Sequence, residues 1–304
     1  MYIPLVYLFI CIGLIILLLL FPGVAHQGTD LGVNLFMDAL FPYLLPYLIL
    51  TQWFIRLTPN KQSTTSRLQL YLKTYGISAL GGFPTGAATI AFLKKSKQIS
   101  PKEANGLLSI CHSPSPLFVI GFVGYDLLND TMFSWRFLIL YHLVSLVILF
   151  LFYNKSKHEP LPMSLNTAEV KPKSIQNPFI SSIKDSVPTV LVVGSTLIFF
   201  TTIFTVVMHT LSTFIPNIHN SLMLLTAASL EMTNGLKIAS QLFSSESTIL
   251  YLLLAAFLTT QSLSIHMQVA VLAKTERISL RPYVALRVIL AILIPALYYV
   301  FFLM

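Results

Sequence analysis

The sequence predicts an all-α, polytopic membrane protein that contains an inverted structural repeat. The chain of 304 residues is 55% hydrophobic and only 10% charged, with a mean hydropathy of +0.78, which is typical of a membrane protein. Polar motifs recur in the same order in each half, and the cations fall in short segments between apolar stretches. These observations together predict about seven full spans, two re-entrant helical hairpins and two broken transmembrane helices.

The repeat shows as an order of motifs. GGFPTGA (81 to 87) is followed by HSPSP (112 to 116), and SLEMTNG (229 to 235) is followed by TQSLS (260 to 264). Thr85 precedes Ser113 by 28 residues, and Thr233 precedes Gln261 by the same 28. This order predicts an N-terminal transmembrane helix over 1–25, a first repeat over 33–153, a cytoplasmic linker over 154–184 and a second repeat over 185–304.

The first helix is expected to be retained, because no cationic region precedes its apolar run and that run is longer than in most signal peptides. Cys11 and Cys111 lie inside apolar runs without a partner for a disulfide or a metal, and both are predicted to be packing residues.

Topology follows from the cations. Of the 19 Lys and Arg residues, 17 lie in four segments, 56–73, 94–103, 154–184 and 274–287, which the positive-inside rule places in the cytoplasm. Four connections without Lys or Arg, 22–37, 125–132, 212–220 and 241–248, are predicted to face outward. The protein is then a multi-pass protein of the cell membrane with a cytoplasmic N-terminus.

This topology predicts that two apolar stretches enter and leave the membrane on the same side, as hairpins. Residues 74–93 would have both ends in the cytoplasm, with GGFPTG at the tip, and arms of about nine residues would reach about 14 Å, close to the bilayer midplane. Residues 221–240 would return to the outside, with LEMTNG at the tip. The predicted broken helices are 104–124 and 249–273. Three crossings and one hairpin in each repeat invert the second copy.

Candidate binding residues lie at these tips and breaks. Thr85 and Gly86 would contact a polar or anionic ligand from the first tip, and Ser113 and Ser115 from the first broken helix, where prolines at 114 and 116 free backbone carbonyls. We expect a ligand or an ion to bind those carbonyls. The alternative is a static proline kink that neighbouring helices satisfy.

Glu231 is the sharpest single candidate, because a carboxylate at a hairpin tip in the membrane must be paired, protonated or bound to a cation. We expect it to couple transport to a cation. Around it we expect further substrate-binding residues from the second tip and the second broken helix: Thr233, Asn234, Gln261 and Ser262. The alternative is a shallow hairpin in which Glu231 is solvated or paired with Lys237.

Other function classes fit less well. The dispersed cations do not form a nucleic-acid surface, and the chain has no HExxH motif, no GxSxG motif and no spaced carboxylate pair for a metal, so we expect no enzyme, no metal site and no cofactor beyond a coupling Na⁺ or H⁺. A membrane scaffold or assembly protein, related to sporulation or the envelope, is the alternative to a transporter. A scaffold would tolerate Glu231→Gln.

GFPTGA, KEANGLLSICHSPSPLFVIGFVG and LEMTNGLKIAS resemble the nucleoside-recognition (Gate) domain family, particularly its sporulation integral membrane protein branch, over about residues 35 to 303. That family is similar to concentrative nucleoside transporters, which implies two re-entrant hairpins and two unwound helices around a midplane substrate and a coupling cation. The branch implies small aromatic dicarboxylates. The nucleoside transporters' own substrate-binding signatures do not occur in this chain.

The sequence thus predicts a transporter of a small polar or anionic, planar metabolite, nucleoside-like or an aromatic carboxylate, that works by cation-coupled alternating access. Its partners would be the substrate and the lipid bilayer, with a homo-oligomer possible.

Overall fold

The protein is all-helical over the residues that the computed structural model describes, which are 2–57, 66–156, 177–215, 218–244 and 247–304. The helices are α1 Tyr2–Leu20, α2 Pro22–Leu35, α3 Phe41–Leu57, α4 Arg67–Gly81, α5 Thr85–Lys95, α6 Pro101–Ile110, α7 Thr131–Ser156, α8 Pro178–Phe214, α9 Asn220–Leu230, α10 Met232–Leu242, α11 Thr248–Thr260, α12 Leu263–Thr275 and α13 Arg281–Phe302. Two π-helical segments, Phe36–Leu40 and Phe118–Leu127, complete the described helices.

Several of these helices are apolar enough for a membrane. Five described stretches have both the length and the composition of a membrane span: Pro22–Phe54, Thr131–Ser156, Pro178–Phe214, Thr248–Thr275 and Arg281–Phe302. Leu5–Leu20, Phe118–Leu127 and Asn220–Leu230 are shorter apolar helices. A multi-pass, all-α membrane protein therefore fits the structure, while seven spans and the inverted repeat stay predictions.

The start of the chain differs from the expectation. The first helix ends at Leu20 rather than at residue 25, and residues 22–37, predicted to be an outward connection, are mostly the helix α2. This segment was assigned to a connection by its lack of Lys and Arg, but its polar residues His26 and Asp30 lie on the exposed face of α2 and form an i,i+4 pair. The buried face carries Gly28 and Gly32, which bring α2 close to the α8 backbone.

Two helix pairs fold back on themselves. A Cβ placed on Gly86 would lie 3.1 Å from the Ser78 hydroxyl, although positions eight residues apart on one helix are separated by about 12 Å. Likewise a Cβ on Gly235 would lie 2.5 Å from the Cα of Ala228. We call α4 and α5 the first hairpin, and α9 and α10 the second.

Two further helices are interrupted. Residues 111–115 separate α6 from the helical segment that includes Phe118–Leu127, and Gln261 and Ser262 separate α11 from α12. We call these the first break and the second break. The first contains Pro114, whose ring and missing N–H end a helix, and Gln261 in the second has a φ of 63°.

The helix bounds also extend the predicted segments. The hairpin predicted at 74–93 runs from Arg67 to Lys95, and α8 begins at Pro178, inside the predicted linker 154–184. Most of that linker, residues 157–176, lies outside the described residues. Arg67, assigned by its charge to a cytoplasmic connection, is instead buried at the start of α4, where it forms an ion pair with Glu103 at 2.9 Å.

Candidate functional site

The tip of the first hairpin is packed against the first break. Gly82 has a φ of +66°, and a Cβ at this position would lie 2.5 Å from the Ser115 Cβ. A Cβ on Gly86 would lie 2.0 Å from the Cys111 carbonyl oxygen. Only residues without a side chain permit this approach, so the glycines of GGFPTGA join the hairpin to the broken helix.

The hydroxyl of Thr85 is used within the hairpin. It donates to the Gly81 carbonyl at 3.2 Å, and Thr85 is buried. In this conformation Thr85 and Gly86 therefore contribute to the contact between hairpin and break, and neither lines the cavity described below.

Side chains of other helices satisfy carbonyls that the first break frees. The Arg287 guanidinium donates to the carbonyls of Ser109, at 2.6 Å, and His112, at 3.0 Å. The Tyr141 hydroxyl also donates to the His112 carbonyl at 3.0 Å. Side chains of α13 and α7 thus donate to these two carbonyls, where a ligand or an ion was expected. This arrangement agrees with the alternative of a static kink.

The two serines of the first break differ in position. Ser115 caps the helical segment that follows, because its hydroxyl accepts from the Phe118 N–H at 3.2 Å, and it also lines the cavity. Ser113 is buried and does not line that cavity.

Glu231 lies where α9 ends and α10 begins, and only 3% of its surface is exposed. Its carboxylate accepts from the Asn234 N–H at 2.9 Å and from the Thr233 hydroxyl at 3.3 Å, so it caps α10. Ser264, from the start of α12, also lies beside the carboxylate. Among the described residues no cation pairs with Glu231, and Lys237 is exposed.

The other residues of the second tip are held in place by neighbours. The side-chain amide of Asn234 donates to the Thr201 hydroxyl of α8 at 2.8 Å. Thr233 is buried, lines the cavity and donates to Glu231. The second hairpin is therefore tied to α8 at its tip.

The second break lies next to α13. Gln261 is buried, and its Oε1 accepts from the Tyr283 hydroxyl at 2.6 Å. The hydroxyl of Ser262 lies 2.9 Å from that of Ser264, the residue beside Glu231. Gln261 thus faces α13, while Ser262 approaches the second tip through Ser264.

A cavity of about 50 Å³ lies between the tips and the breaks. It has room for a few water molecules or one ion. Ser115, Glu231 and Thr233 supply its expected polar walls, and Phe83 of the first tip, Tyr43 of α3 and Gln268 of α12 also line it. The cavity therefore meets both hairpins and both broken helices.

Sequence reasoning missed Arg287, Tyr283 and Gln268. Arg287 was counted with the cytoplasmic segment 274–287, but it is 1% exposed inside α13. The sequence did contain a signal for Arg287, because an arginine within an apolar run is energetically costly in lipid and indicates a polar protein interior. Gln268 and Tyr283 carry no comparable signal among the polar and aromatic residues of this chain.

Comparisons with known proteins give one partial similarity. The chain is 28% identical over 112 residues to the sporulation integral membrane protein YlbJ of Bacillus subtilis (strain 168). The match covers 34% of this chain and 28% of that relative, so just over a quarter of the relative's length is represented. No family model and no solved structure matches the chain. The chain is thus similar over about a third of its length to a sporulation membrane protein.

Proposed function

We propose that this chain is a cell-membrane transporter of a small polar or anionic, planar metabolite, and that Glu231 couples transport to Na⁺ or H⁺. The observation that carries the proposal is a buried carboxylate without a cationic partner among the described residues, on the wall of a cavity. Such a group is expensive in a membrane protein unless it binds a proton or a cation during function.

The surroundings of Glu231 support the proposal. Ligand sites in secondary transporters lie near the bilayer midplane where irregular backbone lines a cavity. Here the cavity is bounded by Phe83 of the first tip, Ser115 of the first break and Gln268 of the second broken helix. The cavity of about 50 Å³ is too small for a nucleoside or an aromatic carboxylate, so the proposal requires the hairpins and broken helices to separate before such a substrate binds.

The resemblance to the nucleoside-recognition (Gate) domain family and the partial similarity to a sporulation membrane protein support the same proposal. On this basis Thr85, Gly86, Ser113, Ser115, Thr233, Asn234, Gln261 and Ser262 would bind the substrate in a more open state. The N-terminus would be cytoplasmic, the two hairpins would be re-entrant, and the proposal is compatible with a homo-oligomer.

A membrane scaffold is the second candidate, and the capping role of Glu231 favours it. The carboxylate accepts hydrogen bonds from Asn234 and Thr233, which is a sufficient structural reason for its presence. A scaffold needs this cap but no titration or cation binding. The two candidates therefore differ in what the charge of Glu231 is required for.

The test compares ligand binding by the wild type and by Glu231→Gln. The purified protein is heated with nucleosides, nucleobases or aromatic carboxylates, with and without Na⁺ and across pH. A ligand at about 100 times its Kd should stabilise the protein by about 2.7 kcal/mol. A glutamine retains the oxygen that caps α10 but not the charge, so a transporter should lose the cation or pH dependence of binding.

Glu276→Gln is the matched control, because Glu276 is a half-buried carboxylate at the end of α12, away from the cavity. Loss of cation dependence in Glu231→Gln but not in Glu276→Gln would support coupling. Unchanged dependence in both variants would reject Glu231 as the coupling residue, and no stabilisation by any ligand would favour the scaffold.

A further inference from the structure

A second polar centre lies in the core around the ring of Tyr283. The His112 ring is 5.3 Å from the Tyr283 ring, and the Arg287 guanidinium carbon is 5.7 Å from that ring's centroid. Gln261 lies at the hydroxyl end of Tyr283, 2.6 Å away. None of these residues lines the Glu231 cavity. We call this group the Tyr283 centre.

The Tyr283 centre contains polar atoms without hydrogen-bond partners. They are the Nε of Arg287, both ring nitrogens of His112 and the Nε2 of Gln261. The three side chains are between 1% and 3% exposed, so bulk water does not reach them. Buried polar groups in folded proteins almost always have a partner, and several groups at one place without a protein partner indicate a site that can bind a polar ligand.

The unpartnered atoms are mainly donors. The Nε–H of Arg287 and the two N–H groups of the Gln261 amide can only donate, and a neutral His112 supplies one further N–H. The aromatic wall of Phe83, whose ring lies 4.8 Å from that of His112, closes one side of the centre. Donors grouped around one buried ring, beside a cation, are complementary to a negative charge.

The charge balance points the same way. Arg67, the other buried arginine among the described residues, is paired with Glu103 at 2.9 Å. No carboxylate forms an ion pair with Arg287 in the part of the chain that the structure describes. The two carbonyls at the end of α6 accept from its terminal nitrogens, but they offset a full positive charge only partly.

We propose that the Tyr283 centre binds a small monovalent anion between Arg287, Gln261 and His112. The anion is either a free halide or the negatively charged group of a larger molecule that the chain binds. The inference does not rest on the proposed transport function, because it concerns binding to the purified protein.

The test is a bromide titration of thermal stability in detergent, with sodium gluconate replacing sodium bromide at constant ionic strength. Gluconate is a much larger anion than bromide and carries the same charge. We expect a saturable rise in Tm with bromide and none with gluconate. Equal responses to the two salts would overturn the proposal.

Two variants locate the effect. Gln261→Met keeps the length of the side chain but removes its donors, and we expect the bromide midpoint to rise at least tenfold. Gln268→Met is the control, since Gln268 is an equally buried glutamine that donates to Thr196 and lines the Glu231 cavity rather than the Tyr283 centre. An unchanged midpoint in Gln261→Met would place bromide elsewhere and overturn the site.

A diffraction experiment decides the question if Gln261→Met does not fold. Crystals of the wild type grown in bromide should show an anomalous peak beside the Nε of Arg287. Water density without an anomalous peak there would overturn the proposal. If an organic anion competes with bromide and raises its midpoint, the natural ligand of the centre is the charged group of such a molecule. If organic anions leave the bromide midpoint unchanged, the natural ligand is a free halide.

Discussion

Gly86→Ala tests the contact between the first hairpin and the first break. A Cβ on Gly86 would lie 2.0 Å from the Cys111 carbonyl oxygen and 3.1 Å from the Ser78 hydroxyl. A carbon and a carbonyl oxygen normally approach no closer than about 3.3 Å. The hairpin and the break must therefore separate by about 1.3 Å to accept one methyl group, and the opposing atom is backbone.

The expected effect combines two opposite terms. Replacing glycine by alanine within a helix usually stabilises it by about 0.5 to 1 kcal/mol, because glycine loses more backbone freedom on folding. Overpacking of a tightly packed core costs about 1 to 3 kcal/mol. We expect Gly86→Ala to lower the free energy of unfolding by about 1 to 2 kcal/mol.

Gly76→Ala is the matched control. Gly76 also lies in the first hairpin, on α4, and a Cβ at this position meets no atom within 4 Å. This substitution should leave the stability unchanged or raise it by up to about 1 kcal/mol. The assay is the thermal or denaturant midpoint of each purified variant in the same detergent. Equal changes in the two variants, or a more stable Gly86→Ala protein, would refute the packing of the tip against the break.

Three further predictions follow from other contacts. Glu103→Gln leaves Arg67 buried beside a neutral group and should destabilise the protein by about 3 to 5 kcal/mol in a denaturant titration; a loss below about 1 kcal/mol would mean that the pair is solvated. Thr201→Val removes the acceptor for the Asn234 amide and should cost about 1 kcal/mol by the same measurement, whereas a neutral result would mean that the second tip is not tied to α8. A cysteine introduced at Ser96, without the native cysteines, should react with a membrane-impermeant thiol reagent only from the cytoplasm, and labelling from outside would contradict the re-entrant first hairpin.

The interruptions in the first half of the chain follow from local covalent chemistry that can be read in the sequence. Pro84 and Pro114 have no N–H to donate, and Gly82 adopts a φ of +66°, which glycine reaches without steric cost. These properties depend on a few neighbouring residues, so a single sequence is enough to locate them. How deep the hairpins lie in a membrane depends on lipid and stays a prediction.

Long-range partners could not be read in the same way. Arg287 satisfies carbonyls of Ser109 and His112, which are 178 and 175 residues away in the sequence. The positive-inside rule grouped Arg287 with the cations of a connection, although the residues on both sides of it in the sequence are apolar. The helix α2 was missed for a related reason, because the absence of Lys and Arg from 22–37 says nothing of the glycines that pack this segment against α8.

Tyr283 and Arg287 are one helical turn apart on α13, and each contacts a different break. Tyr283 donates to Gln261 of the second break, and Arg287 donates to carbonyls at the first. A rotation of α13 about its own axis would change both sets of hydrogen bonds in one movement. The helix α13 therefore couples the two interrupted helices, although the breaks that it contacts lie in opposite halves of the chain. A double-mutant cycle between positions 283 and 287 should be non-additive.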